Sequence, residues 1–320
     1  MDRLPRHKSL PLIIAHRGAS GYLPEHTLAA KALAYGMGAD YLEQDVVASK
    51  DGELIVCHDI HIDRVTDVAD RFPDRARDDG RWYVRDFDLA ELRTLRVHER
   101  LNDAGDAPAF PNRFPADRGD FRVVTLREEI EMVQGLNRST GRQVGIYPEI
   151  KEPAWHRAEG FDLSRAVLQT LADYGYRSKD DLVFVQCFDP AEVQRLRFEL
   201  GCPLRLIQLI DAIAPKVVPE QYEAMLTEAG MAQLASFVDG LGPWFGLLYE
   251  LADIDGHPVS TGFVKLAHEA GLAVHPYTFR ADQVAPGFET DGDMLRWFAE
   301  TLKIDGVFTD FPDRSRVALG

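Results

Sequence analysis

Cysteine is scarce in this sequence, and long apolar runs are missing from it. Only three of the 320 residues are cysteines, namely Cys57, Cys187 and Cys202. Their odd number and wide spacing argue against a disulfide framework or a zinc cluster, so core thiols are the expected role. No apolar stretch approaches the roughly 20 residues that a helix needs to cross a bilayer. We therefore expect no membrane insertion.

Basic residues are also in the minority. Lys and Arg total 36 against 52 Asp and Glu, which gives a net charge of -16. Such an acidic chain has no overall electrostatic attraction for nucleic acid or for an anionic membrane, so we expect neither as a partner. The charge does not exclude a small anionic substrate, because a cation inside one pocket can reverse the local field.

The N-terminus lacks the pattern of an export signal. Basic residues precede the apolar run 10–15, but this run is shorter than a normal signal core and no small-residue cleavage site follows it. We interpret the run as the first buried strand. The chain as it stands predicts a cytoplasmic location, or a periplasmic or secreted one if a signal peptide preceded it.

Short apolar runs alternate with helical patterns along most of the chain. Strands are predicted at 12–15, 41–47, 144–150, 182–187, 204–209, 235–241, 272–276 and 306–309. Helices are predicted at 26–36, 125–136, 163–174, 190–200, 220–229, 261–270 and 294–302. Eight strands separated by helices favour an α/β fold of the closed (β/α)8, or TIM barrel, type. The competing doubly wound sheet is disfavoured, since the first turn reads HRGASG and lacks the GxGxxG spacing.

One segment, residues 59–123, breaks this alternation. It is rich in Asp, Arg, Pro and Gly, and loops of this length are usually functional or disordered. Its aromatic residues favour an ordered cap with little regular structure over a floppy linker. We therefore predict a single barrel domain, residues 1–320, with a small insertion after the second strand and no second domain with its own core.

Reactive side chains occur where the predicted strands end, which is where barrel enzymes build their active sites. Positions two apart on a strand share a face, so Glu43 and Asp45 should project together, as should Glu149 and Lys151. A short strand-like stretch, 53–57, ends in His58. The residues at these ends are His16, Arg17, Glu43, Asp45, His58, Glu149, Lys151, Gln186, Phe188, His275, Tyr277 and Asp310.

The three carboxylates Glu43, Asp45 and Glu149 would repel one another in a desolvated mouth. A divalent cation removes that conflict, and oxygen ligands suit Ca²⁺ or Mg²⁺ better than zinc. The sequence therefore predicts a site for a hard divalent cation.

Fixed cations and titratable groups accompany the carboxylates. Arg17 and Lys151 would bind a phosphate group, and His16 and His58 would supply an acid and a base near neutral pH. Each pair alone is ordinary, since a His-Arg pair is usually a surface pair and an ExD on a strand is usually solvated. Their joint placement predicts a metal-dependent barrel enzyme for a phosphate or sugar-acid group.

Longer motifs sharpen this prediction. The runs IAHRGASGYLPEHTLAA, GADYLEQDVVASKDGELIVCHD, YPEIK, QCFD, HPYT and GVFTDFPD span residues 13–313. In this order they resemble the glycerophosphodiester phosphodiesterase family, most closely its exported bacterial members. The resemblance implies a TIM barrel with an insertion, and hydrolysis of glycerophosphocholine or similar diesters to glycerol 3-phosphate and an alcohol.

The resemblance also implies a role for each motif residue. Glu43, Asp45 and Glu149 would be ligands of Ca²⁺, with Mg²⁺ as the alternative, and His16 and His58 the acid/base pair. Substrate or phosphate contacts are expected from Arg17, Lys151, Gln186, Phe188 and Phe311. His26, in PEHT, departs from the commoner PENT, and we expect this change to leave the catalytic set untouched.

Other readings stay open at this point. A barrel phosphodiesterase for phosphoinositides or sphingomyelin would need basic or aromatic interfacial loops, and this acidic chain shows no basic cluster. A non-catalytic binding protein and a sugar-acid isomerase or aldolase explain the paired histidines less well. The head group, which we expect to depend on the insertion loops 72–121, is not determined, nor are the order of the two histidines and the oligomeric state.

Overall fold

The computed structural model describes residues 10–212, 219–252 and 256–320. Its strands are short, and those of the main sheet are almost entirely buried. In chain order they are β1 Leu12–Ala15, β2 Tyr41–Ala48, β3 Leu54–Val56, β4 Gly145–Ile150, β5 Phe184–Cys187, β6 Arg205–Ile210, β7 Gly240–Pro243, β8 Tyr249–Leu251, β9 Pro258–Ser260, β10 Ala273–Val274 and β11 Gly306–Thr309.

Eight of these strands form one parallel sheet in the order β10-β7-β6-β5-β4-β2-β1-β11. The two ends of this sheet meet, because the amide of Phe308 donates to the carbonyl of Pro276 at 3.0 Å and the amide of Phe279 to the carbonyl of Phe308 at 2.8 Å. These bonds close the barrel, so the predicted (β/α)8 fold is confirmed. Strand β3 pairs antiparallel with β2, and β8 and β9 form a separate hairpin.

Helices surround the barrel and fill its connections. In chain order they are α1 Leu28–Gly36, α2 Val68–Arg71, α3 Leu89–Leu92, α4 Leu126–Thr140, α5 Pro153–Ala158, α6 Leu163–Asp173, α7 Pro190–Phe198, α8 Glu220–Glu223, α9 Glu228–Leu234, α10 Phe263–Glu269, α11 Asp291–Trp297 and α12 Pro312–Leu319. In the described ranges, none of them combines the length and apolarity required to cross a lipid bilayer.

Local signals set the helix ends. At α4 the Thr125 hydroxyl accepts from the amide of Glu128, whose carboxylate returns to the Thr125 amide, and Gly141 at φ 75° ends the helix. At α7 the Asp189 carboxylate accepts from the amides of Ala191 and Glu192 and so caps the helix.

Alternation along the strands divides the core into two parts. Ile13 of β1 packs outward into the large cluster beneath the helices, whereas Ile14 points into the barrel. The barrel interior is filled by aromatic and branched side chains, namely Ile14, Tyr41, Tyr147, Phe184, Ile207 and Phe308. This plug closes the barrel below its carboxyl end, so that a cavity can form only above it.

The insertion, residues 59–123, has more internal structure than its composition indicates. It carries α2 and α3, and it buries a hydrophobic cluster that includes Val65, Phe87 and Leu95. Val47 and Ile55 of the β2–β3 hairpin belong to the same cluster. The insertion is therefore an ordered extension of the β2–β3 hairpin, with which it shares its buried cluster.

One element boundary also differs from the prediction. Gly230 was expected to end a helix and the sixth strand to start at residue 235, but Gly230 lies inside α9 and the strand starts at Gly240. The Thr227 hydroxyl accepts from the Gly230 amide and starts a new helix there. Met231 and Leu234 are buried on its inner face, and this burial favours continued helix over a strand.

A buried ion pair joins two helices to strand β2. The Lys31 ammonium on α1 lies 2.8 Å from both carboxylate oxygens of Glu129 on α4, and it donates to the carbonyl of Glu43 at 2.6 Å. Neither side chain is accessible to solvent. Lys31 therefore uses all three of its protons, which is the condition for tolerating a buried charge.

We expect Glu129→Ala to lower the free energy of unfolding by about 3–5 kcal/mol, because Lys31 would keep a buried charge without a carboxylate. Urea unfolding measures the change. Glu131→Ala, on the exposed face of the same helix, is the control and should stay within about 0.5 kcal/mol of the parent. The double variant Lys31→Met/Glu129→Leu should recover most of the loss. Equal midpoints for Glu129→Ala and Glu131→Ala would contradict the assigned cost.

Candidate active site

A strained turn after β1 starts the site. Arg17 and His26 both adopt positive φ, 59° and 61°, which is uncommon for residues with a side chain. The amide of His26 donates to the carbonyl of Arg17 at 3.0 Å, so the two strained residues close one loop. Gly18, at φ 91°, lies where a Cβ would be 2.8 Å from the carbonyl carbon of Ala30. Only glycine permits this close approach to α1.

Three predicted carboxylates meet at the carboxyl ends of neighbouring strands. Asp45 of β2 lies in register with Glu149 of β4, which in turn lies in register with Gln186 of β5. Glu43 lies two residues before Asp45 on the same face, and its carboxylate accepts from the Arg17 amide at 2.6 Å. The exposed fractions of Glu43, Asp45 and Glu149 are 1%, 1% and 7%.

Burial makes this acidic group electrostatically costly. Desolvation raises the pKa of Glu149 to about 8, and with the charge of Asp45 it raises the pKa of Glu43 well above its usual range. Desolvation acts on Asp45 too, but Lys151 and the nearby histidines outweigh it and hold the pKa of Asp45 well below its ordinary value. Without a cation, burial therefore disfavours the ionised forms of Glu43 and Glu149, whereas Asp45 is ionised.

Two fixed cations adjoin the carboxylates as predicted. Lys151 places its ammonium 2.7 Å from Glu149 and 3.5 Å from Asp45. Arg17 lies 3.4 Å from Asp45 and 3.0 Å from Glu25. Burial alone would lower the pKa of both basic groups, but the carboxylates raise it, so both stay charged.

His26 belongs to this site, and the expectation that it leaves the catalytic set untouched was wrong. Its Nε2 lies 2.7 Å from the Asp45 carboxylate, and burial lowers its pKa to about 3. Potential ligand atoms of His26, Glu43 and Asp45 all lie within 4.8 Å of one another. The sequence signal was present, because His26 occupies the one position where PEHT departs from the commoner motif.

His16 is held by an aspartate at the end of β11. Its Nδ1 lies 2.6 Å from one carboxylate oxygen of Asp310. The other oxygen accepts from Arg113 at 2.8 Å and from Arg280 at 2.9 Å. Burial, with a further contribution from Arg17, lowers the pKa of His16 to about 4.

His58 is held in a similar way. Its Nδ1 lies 2.7 Å from one oxygen of Asp59, whose other oxygen accepts from Arg100 at 2.7 Å. Arg100 also forms a two-pronged pair with Glu25 at 2.9 and 2.6 Å. Burial, Arg17 and Lys151 lower the pKa of His58 to about 4.

These groups surround one cavity of about 180 Å³ above the barrel plug. The lining residues are His16, Arg17, Glu43, Asp45, His58, Glu149, Gln186, Phe188, Leu209, Trp244, Tyr277, Thr278, Arg280 and Phe308. Lys151 adjoins it through its contacts with Asp45 and Glu149. This lining includes no residue of the segment 72–121, which the sequence led us to connect with head-group preference.

Two predicted substrate residues line the cavity and one does not. Gln186 and Phe188 face it. Phe311 is buried elsewhere, with its ring 5.2 Å from that of Tyr22 and in the space that a side chain at Gly21 would need. Phe311 packs behind the His16 turn, so a direct substrate contact is not supported by its position. Trp244, Tyr277 and Arg280 were not predicted as contacts, although the strand-end rule covers Tyr277.

A phosphoric ester hydrolase uses acidic groups that can hold a metal, cations that can bind an anion, and histidines that can transfer protons. The cavity contains all three kinds of group. Comparison with known families makes the class specific. The model of the glycerophosphoryl diester phosphodiesterase family matches residues 16–314, and the chain belongs to this family.

Individual relatives agree with this membership. The chain is 43% identical to the glycerophosphodiester phosphodiesterase of Haemophilus influenzae, covering 96% of this chain and 89% of the relative. It is 37% identical to that of Treponema pallidum, covering 97% and 92%. It is therefore a hydrolase of glycerophosphodiesters.

Solved structures show the same fold. A Silicibacter pomeroyi structure aligns with a TM-score of 0.72 at 25% identity, covering 98% of this chain and 94% of the other. A phosphodiesterase from Oleispira antarctica, solved in complex with the product sn-glycerol-3-phosphate, aligns with a TM-score of 0.63 at 22% identity, covering 97% and 96%.

In the metal-free protein we expect His16 and His58 to be neutral at pH 6, because their pKa values lie near 4 and the ordinary value is 6.5. Ring ¹⁵N shifts, assigned with His16→Gln and His58→Gln, report both charge and tautomer. Unfolding restores the ordinary value, so each histidine makes the fold lose stability as the pH falls from 6.5 towards 4. A charged ring at pH 6 would contradict this assignment.

Proposed function

We propose that Glu43, Asp45 and Glu149 together hold one divalent cation, Ca²⁺ first and Mg²⁺ as the alternative. The buried cluster supports this proposal, since burial disfavours the ionised forms of Glu43 and Glu149 unless a cation compensates their charge. All three donors are oxygens, which suits a hard ion. When bound, such a cation would neutralise part of the negative charge on a phosphoryl group. The contact with His26 fixes the orientation of Asp45.

The substrate phosphate would lie between the acidic cluster and the fixed cations. Arg17 has a planar guanidinium that can bind two oxygens, and Lys151 adds a compact charge beside it. Both now pair with carboxylates, and a cation among those carboxylates would leave the basic groups free to face the phosphate. Gln186 can donate an amide hydrogen from the neighbouring strand end.

His16 and His58 act as the acid/base pair in this proposal. The observation that supports these roles is the shared arrangement of the two histidines. Both line one cavity, and Nδ1 of each ring forms a hydrogen bond with an aspartate. An aspartate at Nδ1 selects the tautomer whose Nε2 is free to accept a proton. Nε2 of each ring is therefore the atom available to the substrate.

The reaction then proceeds by paired proton transfers. One histidine takes the proton of the glycerol 2-hydroxyl, whose oxygen attacks phosphorus, and the other protonates the oxygen of the leaving alcohol. Water opens the resulting cyclic phosphate with the roles of the two histidines exchanged, and glycerol 3-phosphate is released. Direct attack of water on phosphorus is the alternative route.

Soluble glycerophosphodiesters such as glycerophosphocholine and glycerophosphoethanolamine fit the cavity best. Its lining also carries Phe188, Trp244 and Tyr277, which can cover a glycerol or an alkyl head group. The product bound by the Oleispira antarctica phosphodiesterase, sn-glycerol-3-phosphate, agrees with this substrate class. A cytoplasmic location, or an exported one after removal of a signal, stays a prediction.

We expect the enzyme to release glycerol 3-phosphate from glycerophosphocholine, to lose this activity in EDTA, and to regain it with Ca²⁺ or Mg²⁺. Coupling to glycerol 3-phosphate dehydrogenase measures the rate. Glu149→Gln should weaken Ca²⁺ binding in calorimetry at least about tenfold, because it removes a charged ligand. Activity that survives exhaustive chelation would overturn the metal assignment. Hydrolysis of phosphatidylcholine vesicles at the same rate would favour an interfacial enzyme.

We expect His16→Ala and His58→Ala each to lower kcat at least about 100-fold, since each removes one proton-transfer group. Calcium affinity measured by calorimetry should change little, because neither residue is a ligand. His257→Ala, on an exposed segment outside the cavity, is the control. Full activity in both cavity variants would show that the histidines have another role.

A further inference from the structure

Two arginines of the insertion reach the aspartates that hold the proposed acid/base histidines. Arg100 donates to Asp59 at 2.7 Å, and Arg113 donates to Asp310 at 2.8 Å. Neither arginine lines the cavity. The two arginines therefore act on groups that contact the histidines, and not on a ligand in the cavity.

The bonding pattern is similar on both sides, except that the outer oxygen of Asp310 also accepts from Arg280 at 2.9 Å, so Arg113 shares its hold on this aspartate. In each case one carboxylate oxygen faces Nδ1 of the histidine and the other accepts a terminal guanidinium hydrogen. A carboxylate that is bound at one oxygen only can rotate, whereas a carboxylate bound at both oxygens is fixed in its plane. The arginine therefore sets the orientation of the ring through the aspartate.

Burial makes this arrangement hard to replace by water. The exposed fractions of the side chains are 4% for Arg113 and 2% for Asp310, against 14% for Arg100 and 30% for Asp59, so water is excluded more completely on the His16 side. The positive charges also keep Asp310 ionised, since burial alone would raise its pKa and the neighbouring Arg280 and Arg113 help to lower it. Buried ion pairs contribute little net stability, so such pairs at a catalytic cavity point to another purpose.

We propose that Arg100 and Arg113 are positioning residues, through which the insertion sets the geometry of both proton-transfer histidines without touching the substrate. The proposal rests on the proposed roles of His16 and His58. This role explains why the insertion, which does not line the cavity, contacts the aspartates behind both histidines.

A purely structural role is the alternative. Arg113 also binds Asp282 at 2.9 and 3.1 Å, and Arg100 also binds Glu25, so both could simply fasten the insertion to the barrel. Loss of a fastener lowers stability and leaves turnover of the folded enzyme intact. Loss of a positioning residue lowers kcat, since a small displacement of a catalytic group is costly, and changes KM little.

The first test compares Arg100→Ala and Arg113→Ala with Arg118→Ala, an exposed arginine of the same insertion whose side chain is 74% exposed. At saturating Ca²⁺, with glycerophosphocholine as substrate, each of the first two should lower kcat about tenfold with KM within about threefold. Arg118→Ala should match the parent. Arg113→Lys and Arg100→Lys should recover about a third of the parent kcat, because they keep the charge and lose the planar fork. Melting curves confirm that each variant is folded at the assay temperature.

The second test uses coupling between residues. If Arg113 acts through Asp310, Arg113→Ala should cost less than about twofold in an Asp310→Asn background and its full tenfold in an Asp59→Asn background. Arg100→Ala should show the reverse pattern. Assays with enzyme in excess over substrate keep the slow double variants measurable.

Equal losses in both backgrounds, or a loss in melting temperature with unchanged kcat, would overturn the positioning role. These results differ from a failure of the proposed function. In that case the parent enzyme would release no glycerol 3-phosphate, or His16→Ala and His58→Ala would keep the parent rate. If those controls behave as proposed and the arginine variants match Arg118→Ala, only the inference about the insertion fails.

Discussion

Charge balance among buried carboxylates is the constraint on which the rest of the structure depends. Glu43, Asp45 and Glu149 lie almost without solvent contact at adjacent strand ends, where their mutual repulsion is poorly screened. The basic groups beside them offset part of this repulsion. Lys151 and Arg17 supply local positive charge, and His26 binds the carboxylate that stays ionised.

The same constraint extends behind the cavity. The Lys31–Glu129 pair sits on the outer side of β2 and fixes the carbonyl of Glu43 by a hydrogen bond. The backbone that carries two candidate metal ligands is therefore held from outside by an ion pair of zero net charge. Rigid support of this kind keeps the carboxylates at the strand end in place in spite of their mutual repulsion.

Much of the fold could be predicted because it depends on periodicity. Buried strands such as β2 read as apolar runs, and helix caps such as Thr125 and Asp189 act over three or four residues, so a local pattern is sufficient. The strand-end rule then placed Glu43, Asp45, Glu149 and both histidines together. It worked because parallel strands bring their carboxyl ends to one rim.

The remainder depends on contacts between segments that are distant in sequence. Arg100 and Arg113 lie in a polar stretch without periodicity. In such a stretch, the sequence alone does not distinguish an arginine that binds a buried aspartate from a solvated one. Phe311 was misjudged for a related reason, since its ring turns behind the His16 loop instead of into the cavity. The aromatic residues of the insertion indicated an ordered segment, but the members of its buried cluster could not be predicted because its apolar residues are irregularly spaced.

The seam of the barrel has a consequence for how the enzyme handles its ligand. Strands β10 and β11 are joined through the residues just beyond β10, where Phe308 bonds to Pro276 and Phe279 bonds back to Phe308. Tyr277, Thr278 and Phe308 on this joint also line the cavity. A molecule that fills the cavity therefore contacts residues that also join the two ends of the barrel sheet. The same short stretch of chain therefore closes the barrel and forms part of the cavity wall, so a substitution in this stretch acts on both.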